Sequence, residues 1–254
     1  MNHVDTTKTI THLSLCTGYE GIGRGLRRVL PNVREVAYVE IEAFAIANLV
    51  SKMETGQLRP APIYTDLKTF PAHLFRDRVD LITGGYPCQP FSSAGKRLGE
   101  DDPRHLWPFI RRHLAAIRPA RCFFENVEGH ISLGLSTVIS DLESDGYQSA
   151  WGIFSACEAG APHQRKRVYI MGDSDSALSK RGGIPSRVDK AHANINGRGN
   201  EVRDEASQQW LPEPRLGRVV DGCADRVDRL RLLGNGVVPQ TAAKAWNILN
   251  KRLN

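Results

Sequence analysis

Over the first 172 positions, apolar residues fall into two alternating patterns. Short apolar and β-branched runs read as strands at Thr11–Cys16, Val33–Glu40, Ile63–Tyr64, Asp80–Thr83 and Arg121–Phe124. Between them, apolar residues at helical spacing predict helices over 23–30, 41–53, 106–117 and 133–144. The second helix is apolar at Ala45, Ile46, Leu49 and Val50, while Pro31 and Pro119 follow the first and third. Residues 147–156 and 168–171 are expected to pair as an antiparallel hairpin at a sheet edge. Strands alternating with helices predict an α/β fold built on a parallel sheet. Asp66, Cys88 and Glu125 then fall just past strand carboxyl ends, the edge where open α/β sheets bind ligands.

The pattern changes at Gly172. From 173 to about 226 the chain is polar and rich in glycine and asparagine, and it reads as loop or disorder. A helix is predicted again over 241–253, apolar at Ala242, Ala245, Trp246 and Leu249. Three segments follow: 10–172, a variable stretch at 173–225, and a return at 226–254. With 41% hydrophobic and 24% charged residues among 254, the composition is that of a soluble globular chain. No apolar run reaches the ~18–20 residues of a membrane span, and Met1–Asp5 lacks a signal-peptide core, so a cytoplasmic location is expected. The five cysteines are odd in number and contain no CxxC pair, which argues against a disulfide framework and a structural zinc site; no metal is expected. Cys16, Cys122 and Cys157 are expected to fill core space, and Cys223 is given no role. The formal charge of +6 favours polyanionic partners without specifying one.

Two places carry candidate chemistry. The run Gly84-Gly85-Tyr86-Pro87-Cys88-Gln89-Pro90-Phe91-Ser92 follows an apolar strand and presents one thiol between two prolines, which restrict its backbone. Locally, an exposed nucleophile and a buried small hydrophobe are comparable readings. The loop Thr17-Gly18-Tyr19-Glu20-Gly21-Ile22-Gly23 follows the first strand and allows close ligand approach. Glu40 ends the second strand about 20 residues on, the spacing of a ribose-binding acid.

Together these motifs resemble those of the DNA (cytosine-5) methyltransferases. Ser14–Gly23 resembles the opening cofactor loop and Pro87–Arg97 the nucleophile loop; Phe124–Val127 resembles the glutamate motif, Gln164–Ile170 the arginine motif and Arg229–Pro239 the closing motif. Five motifs in order are specific, and they cover about 13–172 and 226–250. The resemblance implies a Rossmann-like methyltransferase fold that uses S-adenosylmethionine. It implies Cys88 as nucleophile toward cytosine carbon 6, Glu125 as acid toward ring nitrogen 3, Arg165 at the base carbonyl and Asn126 as orienting residue. Cys16, Gly18, Tyr19, Gly21, Ile22, Glu40, Ile41, Asp66, Leu67, Pro87 and Asn235 would hold the cofactor. Gln89, Ser92, Lys96, Arg97 and Arg167 would meet the nucleic acid.

The chain departs from the family where Cys16 replaces an aromatic and Glu20 a glycine; the position of the arginine motif's glutamine is His163 with Gln164 beside it, and either can fill that role. Target recognition would lie in 173–225, with Arg181, Arg187, Arg198, Arg203, Asn194 and Asn196 as candidate base readers. The implied partner is double-stranded DNA, with the cytosine rotated out of the stack. A bacterial or bacteriophage source, a cognate restriction nuclease and a monomer are further expectations. An RNA cytosine-5 methyltransferase, a catalytically silent DNA-binding relative and a small-molecule methyltransferase remain alternatives on these motifs.

Overall fold

The computed structural model describes residues 9–30, 32–87, 106–174 and 236–253. Seven strands form one sheet in the order β3-β2-β1-β4-β5-β7-β6. The parallel strands are β1 (Ile10–Leu15), β2 (Val33–Val39), β3 (Ile63–Tyr64), β4 (Leu81–Gly84) and β5 (Arg121–Val127). The expected hairpin is present as β6 (Gln148–Ser155) and β7 (Lys166–Asp173); β7 runs antiparallel to β5, leaving β6 at the edge. Strand order reverses between β1 and β4, and the next described helices after them pack on opposite faces of the sheet. Such a switch point opens a crevice at the carboxyl edge, between the loops after β1 and β4.

Strand residues alternate between two apolar layers, as a period of two requires. Cys122, Phe124, Val168 and Ile170 face α3 (Trp107–Ile117) and α5 (Leu135–Ser144). Phe123, Tyr169 and Met171 face the opposite layer, formed by α1 (Gly21–Leu26) and α6 (Pro239–Leu253). The α3 stripe Trp107, Ile110, His113, Leu114 and Ile117 is buried at helical spacing. Helix α2 (Ala43–Glu54) lies over the β2–β3 end, with Tyr38, Leu49 and Leu58 between. A buried ion pair, Arg121 Nε to Asp173 Oδ2 at 2.9 Å, fastens β5 to β7.

Four expectations change. Helix α1 begins at Gly21 and ends at Leu26, and residues 27–29 form a turn. Its glycines let it lie against the chain entering α6: a Cβ on Gly25 would stand 2.4 Å from Pro239 O. Strand β5 runs to Val127 because β7 pairs along its whole length, so Glu125 sits inside the strand and not past its end. A short helix, α4 (His130–Leu133), precedes α5. Cys157 is exposed, on a 3-10 turn after β6, and fills no core space. The expected recognition stretch, apart from Asp173 and Ser174, lies outside the described residues, as do its candidate base readers and Cys223.

Candidate active site

The loop after β1 reverses through three left-handed positions, Cys16 (φ 48°), Gly18 (φ 54°) and Glu20 (φ 67°). Glycine takes that conformation freely, whereas a side chain adds about 1 kcal/mol or more of strain. A Cβ on Gly18 would meet nothing within 4 Å, so the loop faces open space there. Its N–H donates to Glu40 Oε2 at 2.7 Å, while Glu40 Oε1 accepts from the Glu42 N–H at 2.9 Å. The buried Glu40 carboxylate thus ties the β1 loop to the β2 loop, and each oxygen keeps a further lone pair. Ile41, the next residue, is 73% exposed. Asp66 accepts from the Lys68 N–H (2.8 Å) and the Thr69 hydroxyl (3.0 Å).

These residues form a mouth with two carboxylates, a bare glycine backbone and an exposed apolar side chain. Among the described residues neither acid is ion-paired to a cation. That donor set suits ribose hydroxyls, an amino group and a sulfonium, and it would repel a pyrophosphate, so it fits S-adenosylmethionine. Of the other expected cofactor residues, Gly21, Ile22 and Leu67 are buried and Cys16 and Tyr19 half-buried. Burial pushes the Cys16 thiol up to about 12, Glu40 adding to the effect, so it stays protonated. Leu67 and Ile22 have core side chains, and Gly21 packs against Val237. The Tyr19 carbonyl accepts from Lys52 Nζ at 3.0 Å.

On the β4 side, Glu125 is buried beneath Gly85: a Cβ there would lie 3.4 Å from Glu125 Oε2 and 3.8 Å from Val237 Cγ2. Burial raises the Glu125 pKa to about 7 against the opposing pull of Arg167 and Arg165. Its Oε1 is ion-paired with Arg167 Nε at 3.0 Å. Arg165, at φ 30° just before β7, donates from Nη2 to Gly236 O at 2.7 Å and so joins β7 to the segment entering α6. Burial and the neighbouring Arg167 hold its pKa below the usual arginine value. Asn126 Nδ2 donates to Tyr86 O at 3.2 Å, fixing the chain that leads to the exposed Pro87. Glu125, Asn126, Arg165 and Arg167 are therefore brought together beside the exit of β4. Cys88, Gln89, Ser92, Lys96, Arg97 and Asn235 lie outside the described residues.

Two supporting groups escaped the sequence reading. The Tyr86 hydroxyl is hydrogen-bonded to His130 Nε2 at 3.1 Å, with both side chains buried and the rings edge to face. Burial lowers the His130 pKa, which keeps the ring neutral. Under the β1 loop, Arg27 ion-pairs with both Glu20 and Glu35, and His12 Nδ1 stands 3.8 Å from Glu35 Oε1. Ligand atoms of His12, Glu20 and Glu35 lie within 4.8 Å of one another, but Arg27 already supplies the cation that this group requires. The one signal available in the sequence was Glu20 standing where the family carries glycine.

Comparison with known proteins identifies the family and the fold. The sequence model of the family described as C-5 cytosine-specific DNA methylase matches residues 10–213. The Type II methyltransferase M.NgoMIV of Neisseria gonorrhoeae is 32% identical over 165 residues, covering 63% of this chain and 51% of the relative. M1.ScrFI of Lactococcus lactis subsp. cremoris, also a Type II methyltransferase, is 32% identical over 173 residues, covering 66% and 42%. The chain thus spans about half or less of the length of these curated relatives. Among solved structures, Spodoptera frugiperda DNMT2 superposes with a TM-score of 0.55 at 22% identity, covering 66% of this chain and 50% of that one. For S. pombe Dnmt2 the TM-score is 0.54 at 23% identity, covering 69% and 58%. At that identity the likeness concerns the fold.

Proposed function

The chain belongs to the C-5 cytosine-specific DNA methylase family, and we propose that it is a DNA (cytosine-5-)-methyltransferase using S-adenosylmethionine. The observation that carries the reading is Glu125: a buried carboxyl with its pKa near 7, placed under the strand exit that leads to the proline-bracketed Cys88. A carboxylic acid that keeps its proton near neutrality is suited to a ring nitrogen that must gain one.

In the proposed mechanism the Cys88 thiolate adds to carbon 6 of an extruded cytosine while Glu125 gives a proton to nitrogen 3. Carbon 5 becomes nucleophilic. The cofactor, when bound, supplies an electrophilic methyl group. Water, as base, then takes the carbon 5 proton, the carbon 6–sulfur bond breaks to release the thiolate, and nitrogen 3 returns its proton to Glu125, which restores the neutral ring. Arg167 holds the Glu125 carboxyl in place, Arg165 is the candidate donor to the base carbonyl, and Asn126 sets the path of the nucleophile loop. Glu40 and Asp66 are assigned to ribose and the adenine amino group, with Ile41 against the adenine. Gly18, Tyr19, Gly21 and Pro87 would contribute backbone contacts.

Further parts of the reading concern the cell. Double-stranded DNA is the proposed substrate, and the Type II names of the relatives support a cognate nuclease as partner. Among the described residues no helix is long and apolar enough to cross a membrane; we propose action in the cytoplasm. Incubating the protein with methyl-labelled S-adenosylmethionine and, separately, duplex DNA, tRNA or no nucleic acid tests the assignment. Label is expected in DNA as 5-methylcytosine. Label confined to tRNA, or none at all, overturns it.

A further inference from the structure

Between helix α1, the turn after it and the chain that follows α2 lies a half-open pocket of about 290 Å³ lined by Arg24, Arg27, Lys52, Gln57 and Leu58. None of these residues belongs to the cofactor mouth. Three of the five are cations and none is a carboxylate. Glu20 and Glu35 lie buried beneath Arg27, where they hold its guanidinium, and they do not reach the cavity wall. Arg24 is exposed on α1, and among the described residues no acid pairs with it. Lys52 is half-buried; its ammonium donates to the Tyr19 carbonyl at 3.0 Å and lies 5.1 Å over the Tyr19 ring. Burial, then the facing charges of Arg24 and Arg27, lower the Lys52 pKa against the pull of Glu20. Arg24 and Lys52 thus face this space with no carboxylate in its wall, while the charge of Arg27 is met from behind by Glu20 and Glu35.

We propose that this cavity is an oxyanion site for a phosphate group, and that its occupancy is coupled to the cofactor loop. Cations arrive from α1, from the turn after it and from α2, so a ligand with oxygens in several directions satisfies them together; a planar carboxylate offers only two. The space exceeds severalfold the ~30 Å³ share of a liquid water molecule. Coupling follows from where the wall is attached. Lys52 holds the Tyr19 carbonyl and Arg27 holds the Glu20 side chain, successive residues of the turn that aims the Gly18 N–H at Glu40. An anion that draws either cation toward itself changes the hold on that turn. By linkage, phosphate and cofactor then alter each other's affinity by the same factor. The coupling clause rests on the proposed cofactor; the anion site does not.

Calorimetric titration of the full chain with inorganic phosphate, at ionic strength held constant with chloride, tests the site. One binding event is expected, weakened about tenfold or more in Arg24→Gln and in Lys52→Met through loss of a charge-assisted contact. Arg24 is exposed, so its substitution leaves the fold intact, as circular dichroism would verify. No heat and no rise in melting temperature with phosphate, or an unchanged affinity in Arg24→Gln, overturns the site. Saturating phosphate is expected to change the S-adenosylmethionine affinity of the natural chain; an unchanged affinity overturns the coupling. A natural chain that binds phosphate but not S-adenosylmethionine contradicts the proposed function and leaves the anion site standing. In a separate arm with a short DNA duplex, weaker binding and a shallower salt dependence in Arg24→Gln assign the phosphate to a nucleic acid backbone. Unchanged duplex binding assigns it to free phosphate.

Discussion

Replacing Glu125 by Gln isolates the proton on which the proposed chemistry depends. Burial moves this carboxyl from the ordinary value of 4.5 to about 7, against the opposing charges of Arg167 and Arg165. A folded-state pKa above the unfolded one means that the folded chain binds the proton more tightly. The associated stability is fully present below about pH 4.5 and is lost as pH rises through about 7. The difference of about 2.5 in pKa corresponds to roughly 3–4 kcal/mol at ~1.4 kcal/mol per pH unit. Glutamine keeps the shape and cannot ionise, so Glu125→Gln removes that loss.

Urea unfolding of both proteins at about pH 5 and about pH 8 measures it. The natural chain is expected to lose about 2–3 kcal/mol relative to the variant across that range. Equal changes in the two proteins would refute the claim that burial raises the Glu125 pKa. Methylation by the variant should fall by about two to four orders of magnitude, the usual range for removing a general acid. Methylation by the natural chain is expected to slow as pH rises past about 7, where Glu125 gives up its proton.

Tyr86→Phe and His130→Phe each break the buried bond behind the nucleophile loop. Single-turnover methyl transfer should slow in both while S-adenosylmethionine affinity holds, and the double variant should be little worse than either single; additive losses would contradict a shared role. Arg27→Met leaves Glu20 and Glu35 without their common cation. A loss of about 3 kcal/mol in urea unfolding is expected, recovered in part by adding Glu20→Gln. Gly25→Ala would drive a Cβ to 2.4 Å from Pro239 O, and a loss of about 1–3 kcal/mol is expected, read as a lower thermal midpoint.

Much of the sheet was legible because its strands are short apolar runs bounded by glycine and acidic residues, and tertiary pairing confirmed that local signal. Glu40 and Glu125 were legible through motif spacing, and each now has a physical setting: Glu40 bridges two loops and burial raises the Glu125 pKa to about 7. What local pattern concealed is pairing across the sheet. Glu125 and Asn126 read as lying past a strand end, but β7 extends β5 over both. Arg27 and Glu35 carry no mark in the sequence, since their charges meet Glu20 only once α1 lies over β1 and β2. His130 was hidden in a short helix that has no periodicity to detect. Cys157 misled because its apolar flank, Ile153–Phe154, belongs to an edge strand with one exposed face.

Covalent trapping bears most directly on the central claim. Protein loaded with S-adenosylmethionine is incubated with duplex DNA carrying 5-fluorocytosine, and digested adducts are mapped by mass spectrometry. Fluorine at carbon 5 blocks the final proton loss, so a stable link between Cys88 and carbon 6 of a methylated base is predicted, absent in Cys88→Ala. No adduct on DNA that the enzyme methylates, or an adduct at any other residue, would contradict it.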